Sequence, residues 1–285
     1  MNLKTLLIVS HDAGGANLLA YWCINWSNKV NFVFMVAGPA VKIFNDLGLA
    51  NAIVDHYPNH ETIDMVVTST GWQSDLEYDA INWARNCRIP VASYLDHWVN
   101  YKSRFIRNHV EILPDEIWAG DRDSFNLAMA IFSPKDVAVR YMRNRYFLEL
   151  KNKVIKAKLK KQSLTENNLL ICLEPIRNAI AFEDVYSNLA AYLSQSRFKD
   201  LSIIIRDHPS ATDTGLYLLR HKLEPHFAIR MSEGELWQDL TLAVAVVGYQ
   251  SSVLAYASYL NITAISYFPI KKLEPILPHK VIEYI

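Results

Sequence analysis

The chain has 285 residues, with 29 basic and 29 acidic side chains, so its formal net charge is zero. A hydrophobic share of 51% with 20% charged residues is close to the globular average and excludes a disordered or low-complexity chain. The neutral balance excludes a general nucleic-acid binder, which carries a strong basic excess. The length suits two domains or one large α/β domain. Cys23, Cys87 and Cys172 are scattered without CxxC spacing, which reads as buried thiols in a reducing cytoplasm. The apolar start of the chain is followed by no small-residue cleavage site and reads as a first buried strand, not a signal peptide.

Short β-rich runs alternate with helical patterns from the N-terminus onward. Leu6–Ser10, Phe32–Val36, Ala52–Val54, Met65–Thr68, Val91–Tyr94 and Glu116–Ala119 read as strands. Between them, Ala16–Trp26, Val41–Leu47, Leu76–Asn86 and Arg122–Ile131 read as helices. This alternation predicts βαβ units, a parallel sheet and ligand binding at the carboxyl ends of its strands. The segment Lys135–Lys161 then holds ten Lys/Arg against Asp136 and Glu149, and its second half reads as an exposed helix. It is either a solvated helix face or a patch that meets an acidic acceptor or makes peripheral contact with an anionic membrane.

A second alternating set follows. Leu169–Leu173, Leu201–Arg206, Ala228–Arg230, Leu242–Val247 and Thr263–Tyr267 read as strands, with helices near Phe182–Leu193, Gly215–Leu223 and Ser251–Leu260. Leu240–Ile270 has no charged residue, but its interruption by Gly248, Gln250, Ser251, Ser252, Ser258 and Asn261 favours strand, loop, helix and strand over a membrane span. The expected fold is α/β, with two Rossmann-like domains of parallel sheet facing across a cleft: residues 1–140, a basic linker helix over 141–165, and residues 166–285.

Candidate functional residues cluster where strands end. Ser10-His11-Asp12-Ala13-Gly14-Gly15 joins a strand to a helix; the glycines permit close backbone approach and the helix start offers free N–H groups. It is neither GxGxxG nor a P-loop. Asp12 either caps the helix or, with His11, serves acceptor binding or proton abstraction. In Thr70-Gly71-Trp72-Gln73-Ser74-Asp75-Leu76-Glu77 the Ser74/Glu77 spacing fits a capping box, while Trp72 is a platform for a sugar ring. The stretch Tyr94–Phe105 carries Asp96, His97, Trp98 and Tyr101; it is a structural turn or the seat of a carboxylate base.

In the second half, Arg206-Asp207-His208-Pro209 ends a strand, and Gly248-Tyr249-Gln250-Ser251-Ser252 ends another and opens a helix. Arg206, His208, Ser251 and Ser252 are the residue types that hold a phosphate. Glu174 and Arg177 follow the first strand of this half and are candidate ligand contacts, whereas Ser232 and Glu235 fit a second capping box.

The His-Pro pair after one strand and the Ser-Ser pair at a later helix resemble the nucleotide-binding half of bacterial sialyltransferases, polysialyltransferases and Kdo transferases, enzymes of the GT-B type. The resemblance implies a metal-independent glycosyltransferase of polysaccharide biosynthesis, cytoplasmic, with no cofactor. Its nucleotide-sugar donor, CMP-linked by preference, would lie in the C-terminal half, with His208, Ser251 and Ser252 on the phosphate. A glycan or lipid-linked acceptor would lie in the N-terminal half, with Asp96 as base; Leu95 and His97 depart from the acidic-acidic-Gly motif of those enzymes. Three rivals stand beside it: a CDP-polyol phosphotransferase, a UDP-sugar 2-epimerase of the GT-B shape, and a non-catalytic nucleotide- or sugar-binding module.

Overall fold

The computed structural model describes residues 3–49, 52–71, 73–160, 167–173, 179–208, 214–267, 277–279 and 281–284. The chain divides into two compact units, Met1–Leu148 and Glu149–Ile285.

Unit 1 contains β1 (Thr5–Ser10), α1 (Ala13–Trp26), β2 (Asn31–Val36), α2 (Pro39–Asp46), β3 (Met65–Thr68), α3 (Leu76–Asn86), β4 (Val91–Leu95), the two-stranded hairpin β5 (Ile106–Arg107) and β6 (Val110–Glu111), β7 (Glu116–Ala119), α4 (Arg122–Phe132) and β8 (Ala138–Tyr141). Six strands form one parallel sheet in the order β2-β1-β3-β4-β7-β8. Successive residues of β1 bury on opposite faces. Leu6 and Ile8 join one apolar cluster with α1 and α2; Leu7 and Val9 join another with α3 and α4. Burial on both faces is why this strand reads as an unbroken apolar run.

Helix α5 (Arg145–Lys160) crosses the boundary between the units in sequence. Unit 2 continues with β9 (Asn168–Cys172), α6 (Ala179–Gln195), β10 (Ser202–Arg206), α7 (Thr214–Leu223), β11 (Ile229–Met231), α8 (Leu236–Leu242), β12 (Ala243–Gly248), α9 (Ser252–Tyr259), β13 (Thr263–Ser266) and β14 (Glu283–Tyr284). Its sheet is also parallel, in the order β11-β10-β9-β12-β13-β14. Leu169, Ile171, Ile203, Ile205, Ala245 and Val247 supply the core of one face.

The α/β class and the parallel sheets are as the alternating pattern implies. Ala52–Val54 is a correction: it forms no strand and contributes one isolated bridge, Ile53 to Phe34. Strand β8 went unread because an exposed edge strand carries no apolar run; three of its four residues are exposed. The uncharged stretch becomes β12, α9 and β13, and no described helix is long and apolar enough to cross a membrane.

Candidate functional site

Each sheet has a point where strand order reverses, and ligands of open α/β sheets bind outside the carboxyl ends of the strands there. In unit 1 it falls between β1 and β3, in unit 2 between β9 and β12.

At the carboxyl edge of the unit 1 sheet the apolar core gives way to buried hydroxyls. Ser10 Oγ and Ser69 Oγ are 2.8 Å apart, and Thr68 Oγ1 and Ser93 Oγ 2.7 Å apart. Ser69 Oγ also donates to Glu77 Oε1 at 2.9 Å, and the same oxygen accepts the His11 backbone N–H at 2.8 Å. Glu77 therefore ties the loop after β1 to the loop after β3. It is 3% exposed, and its second oxygen, Oε2, is buried without a hydrogen-bond partner. Burial pushes its carboxyl above the ordinary carboxylate value, helped by the nearby charge of Asp12 and opposed by its hydrogen bonds.

Asp12 occupies the N-cap position of α1 but makes no capping hydrogen bond there. Its Oδ1 lies 2.8 Å from His11 Nδ1. On the far side of that ring is Gly38, with φ +55°; a Cβ there would come within 2.5 Å of Nε2. The imidazole is thus held by a carboxylate on one nitrogen and by glycine backbone beside the other. A ring so held can take or give a proton while its orientation stays fixed.

Asp96, immediately after β4, is gripped through one oxygen. Oδ1 accepts from Arg104 Nη1 at 2.6 Å and from Thr70 Oγ1 at 3.0 Å. The Arg104 side chain is 3% exposed, and it also donates to the carbonyls of Thr70 and Val99. The other oxygen, Oδ2, makes no hydrogen bond among the described residues and faces Gly14, where a Cβ would come within 2.7 Å of it. Gly15 packs against Ser69 in the same way. The first turn of α1 is built from glycine because a carboxylate and a hydroxyl press against it.

The rest of the β4 loop is tied to the fold by its own hydrogen bonds. The His97 ring accepts the Trp98 backbone N–H at 3.0 Å. Trp98 Nε1 donates to Asp121 Oδ2 at 2.9 Å, and Asp121 Oδ1 caps α4 through Ser124 N–H. Tyr101, expected as a ligand contact, is 2% exposed, bonded to Ser124 Oγ at 2.9 Å and stacked near Phe132, so it packs in the core. Burial pushes its phenol far above the usual range.

In unit 2, the Arg206 guanidinium is occupied by its own fold. It meets Asp239 Oδ2 at 2.8 Å, Ser232 Oγ at 2.9 Å and the Gly234 carbonyl at 2.9 Å. Arg206 therefore braces the turn before α8 through Nη1, and its side chain is 29% exposed. His208 is half-buried, and its backbone N–H bonds Asp207 Oδ1. Ser251 is the N-cap of α9, its Oγ accepting the Val253 N–H at 3.3 Å, and Ser252 is the first helical residue. Trp72, Glu174 and Arg177 lie outside the described residues.

Both capping boxes read from the sequence are corrected. Asp75, not Ser74, is the N-cap of α3, and Glu77 turns inward to the β1 loop. Before α8 the box exists, but it is formed by Glu235 with Gln238, while Ser232 bonds Asp239. Glu77 and Arg104 are the site residues that sequence reasoning missed. A signal for Glu77 was present: with Ala80, Ile81 and Ala84 it shares the buried face of α3 at helical spacing.

No protein-family model matches this chain, and no curated protein sequence matches it either. Solved structures do. UDP-GlcNAc 2-epimerase from Neisseria meningitidis bound to UDP-GlcNAc superposes with a TM-score of 0.69 at 12% identity, covering 92% of this chain and 82% of that one. The S. aureus MnaA–UDP structure gives 0.69 at 10% identity, over 99% and 84% of the two chains. The Methanocaldococcus jannaschii UDP-GlcNAc 2-epimerase in complex with UDP-GlcNAc and UDP gives 0.70 at 13% identity, over 99% and 89%. At such identities the likeness conveys the fold, which is GT-B-like. The expectation of a CMP-linked glycosyltransferase is overturned, because these neighbours are UDP-GlcNAc 2-epimerases and structures holding UDP. The sialyltransferase and Kdo transferase resemblance extends to the fold and no further.

Proposed function

We propose that this chain is a UDP-sugar 2-epimerase-like enzyme, acting on a UDP-linked 2-acetamido sugar. The observation that carries this reading is the pair of separately held acid–base groups around the first turn of α1. Asp96 offers Oδ2 beside Gly14, and Asp12 with His11 stands at the N-cap of the same helix. Transfer to an acceptor hydroxyl needs one base. Inversion at C2 removes a proton from one face of the sugar and returns one to the other, which two groups can do. The fold shared with UDP-GlcNAc 2-epimerases supports the same reading.

In this mechanism one of the two groups takes the C2 proton as the C1–O bond to UDP breaks, leaving a C1=C2 double bond. UDP then adds back at C1 while the other group supplies a proton to the opposite face of C2. Gly14 and Gly15 let the backbone come close to the sugar. His208, Ser251 and Ser252 of unit 2 serve the diphosphate, with the α9 N–H groups facing an anion. Arg206 acts indirectly, by fixing the turn before α8.

The test is incubation with UDP-GlcNAc in heavy water, followed by proton NMR. The expected outcome is a second UDP-sugar differing at C2, with deuterium at that carbon in both species. A nucleotide sugar bound yet unchanged, with C2 still carrying hydrogen, would reduce the protein to a binding module.

A further inference from the structure

The buried carboxyl of Glu77 is unused by the mechanism above, yet it stands under its centre. Its Oε1 takes the His11 N–H and the Ser69 hydroxyl, and Ser69 is joined in turn to Ser10. Gly71 separates it from Asp12: a Cβ at Gly71 would lie 3.0 Å from Asp12 Oδ2 and 3.1 Å from Glu77 Oε1. Two carboxyls thus approach one another across a residue that has no side chain. Oε2 is buried and unpartnered, an arrangement that penalises a full charge on Glu77.

We propose that Glu77 is the positioning residue of the His11–Asp12 pair, fixing the pair through the His11 N–H and sharing its proton balance with Asp12. The inference rests on the reading that this pair carries proton transfer, but its geometry is independent of the substrate. The burial-driven rise of the Glu77 carboxyl, to which Asp12 contributes, agrees with it. Other charged groups near these elements have partners of their own. Asp75 is paired with Arg107 at 2.6 Å and Asp96 with Arg104 at 2.6 Å, while Asp79 lies on α3 itself. Asp12 and His11 are therefore the groups of the β1 loop that face Glu77.

The test is carbon-13 NMR of the Glu77 side-chain carboxyl from pH 3 to 9 in the whole chain without ligand. In the wild type it titrates above the free-carboxyl range. Asp12→Asn lowers that midpoint by about half a unit, because a facing negative charge is gone. Ser69→Ala raises it, because a hydrogen bond favouring the charged form is gone. An unmoved midpoint in Asp12→Asn, with the fold intact by amide NMR, overturns the coupling whatever the protein's activity. Opposite shifts in the two variants without C2 exchange leave the coupling standing and remove the epimerase reading instead. Where exchange is present, Glu77→Gln keeps the acceptor for His11 and removes the charge. It then alters the pH profile of kcat with KM within about twofold of wild type; an unchanged profile overturns the role in catalysis.

Discussion

In unit 1 the loops after β1 and β4 and the start of α3 bring together Asp12, Asp96 and Glu77, with one buried guanidinium on Asp96 alone. In unit 2 the loops after β10 and β12 bring hydroxyls and an imidazole, and the one arginine there is already neutralised by Asp239. Both sheets are parallel and six-stranded, in the orders β2-β1-β3-β4-β7-β8 and β11-β10-β9-β12-β13-β14, and the contrast between their polar groups lies in the loops at the carboxyl ends. It teaches that one class of parallel sheet can gather carboxyls at its carboxyl edge in one unit and present hydroxyls and a helix start there in the other.

The sharpest way to break this comparison is Asp96→Asn. Turnover is expected to fall about a thousandfold while calorimetric binding of UDP is retained. Loss of UDP binding instead would mean that unit 1, not unit 2, holds the nucleotide. Arg104→Met removes a buried guanidinium from a part-buried carboxylate and should lower stability by about 3 kcal/mol in urea unfolding; a loss under about 1 kcal/mol would show that water replaces the pair.

Gly14→Ala separates site from scaffold. Alanine favours the helix by about 1 kcal/mol, which offsets part of the cost of displacing the held Asp96 carboxylate, so the melting temperature should fall only slightly. Its Cβ meets Asp96 Oδ2, so activity should fall roughly tenfold by the same steric displacement. On the unit 2 side, Ser251→Ala removes a helix cap, costing about 1 kcal/mol, and should weaken UDP binding with kcat little changed.

The smallest effect is the pH dependence of stability. Glu77 and Asp121 both have carboxyls raised by burial. The folded state therefore holds their protons more tightly than the unfolded chain, and stability declines as pH rises from the ordinary carboxylate value through the raised ones. Glu77→Gln should flatten that decline in thermal melts between pH 4 and 7; an identical slope would show that Glu77 is not raised.

Much of the scaffold was legible in the sequence, because its information is local. Helix α3 lies at Leu76–Asn86, where the pattern put it, and β1, β3, β4, β7 and β12 lie within a residue or so of their apolar runs. Asp12 and Asp96 were legible as strand-end carboxylates for the same reason. Glu77 was misread because a local rule offered it a sufficient role as a cap, and the brace that Arg206 forms was not legible. Their actual partners lie far along the chain: His11 is 66 residues from Glu77, and Asp239 is 33 from Arg206.

The sequence by itself determined the alternation of strand and helix, the doubly buried strands and the placing of polar residues at their carboxyl ends, since periodicity and turn chemistry act over a few residues. Only the tertiary structure decided which polar groups meet. Placing β3 next to β1 presses the start of α3 against the His11 loop, and burial there requires every hydroxyl and N–H to find a partner. That requirement turned an apparent helix cap into the carboxyl beneath the site.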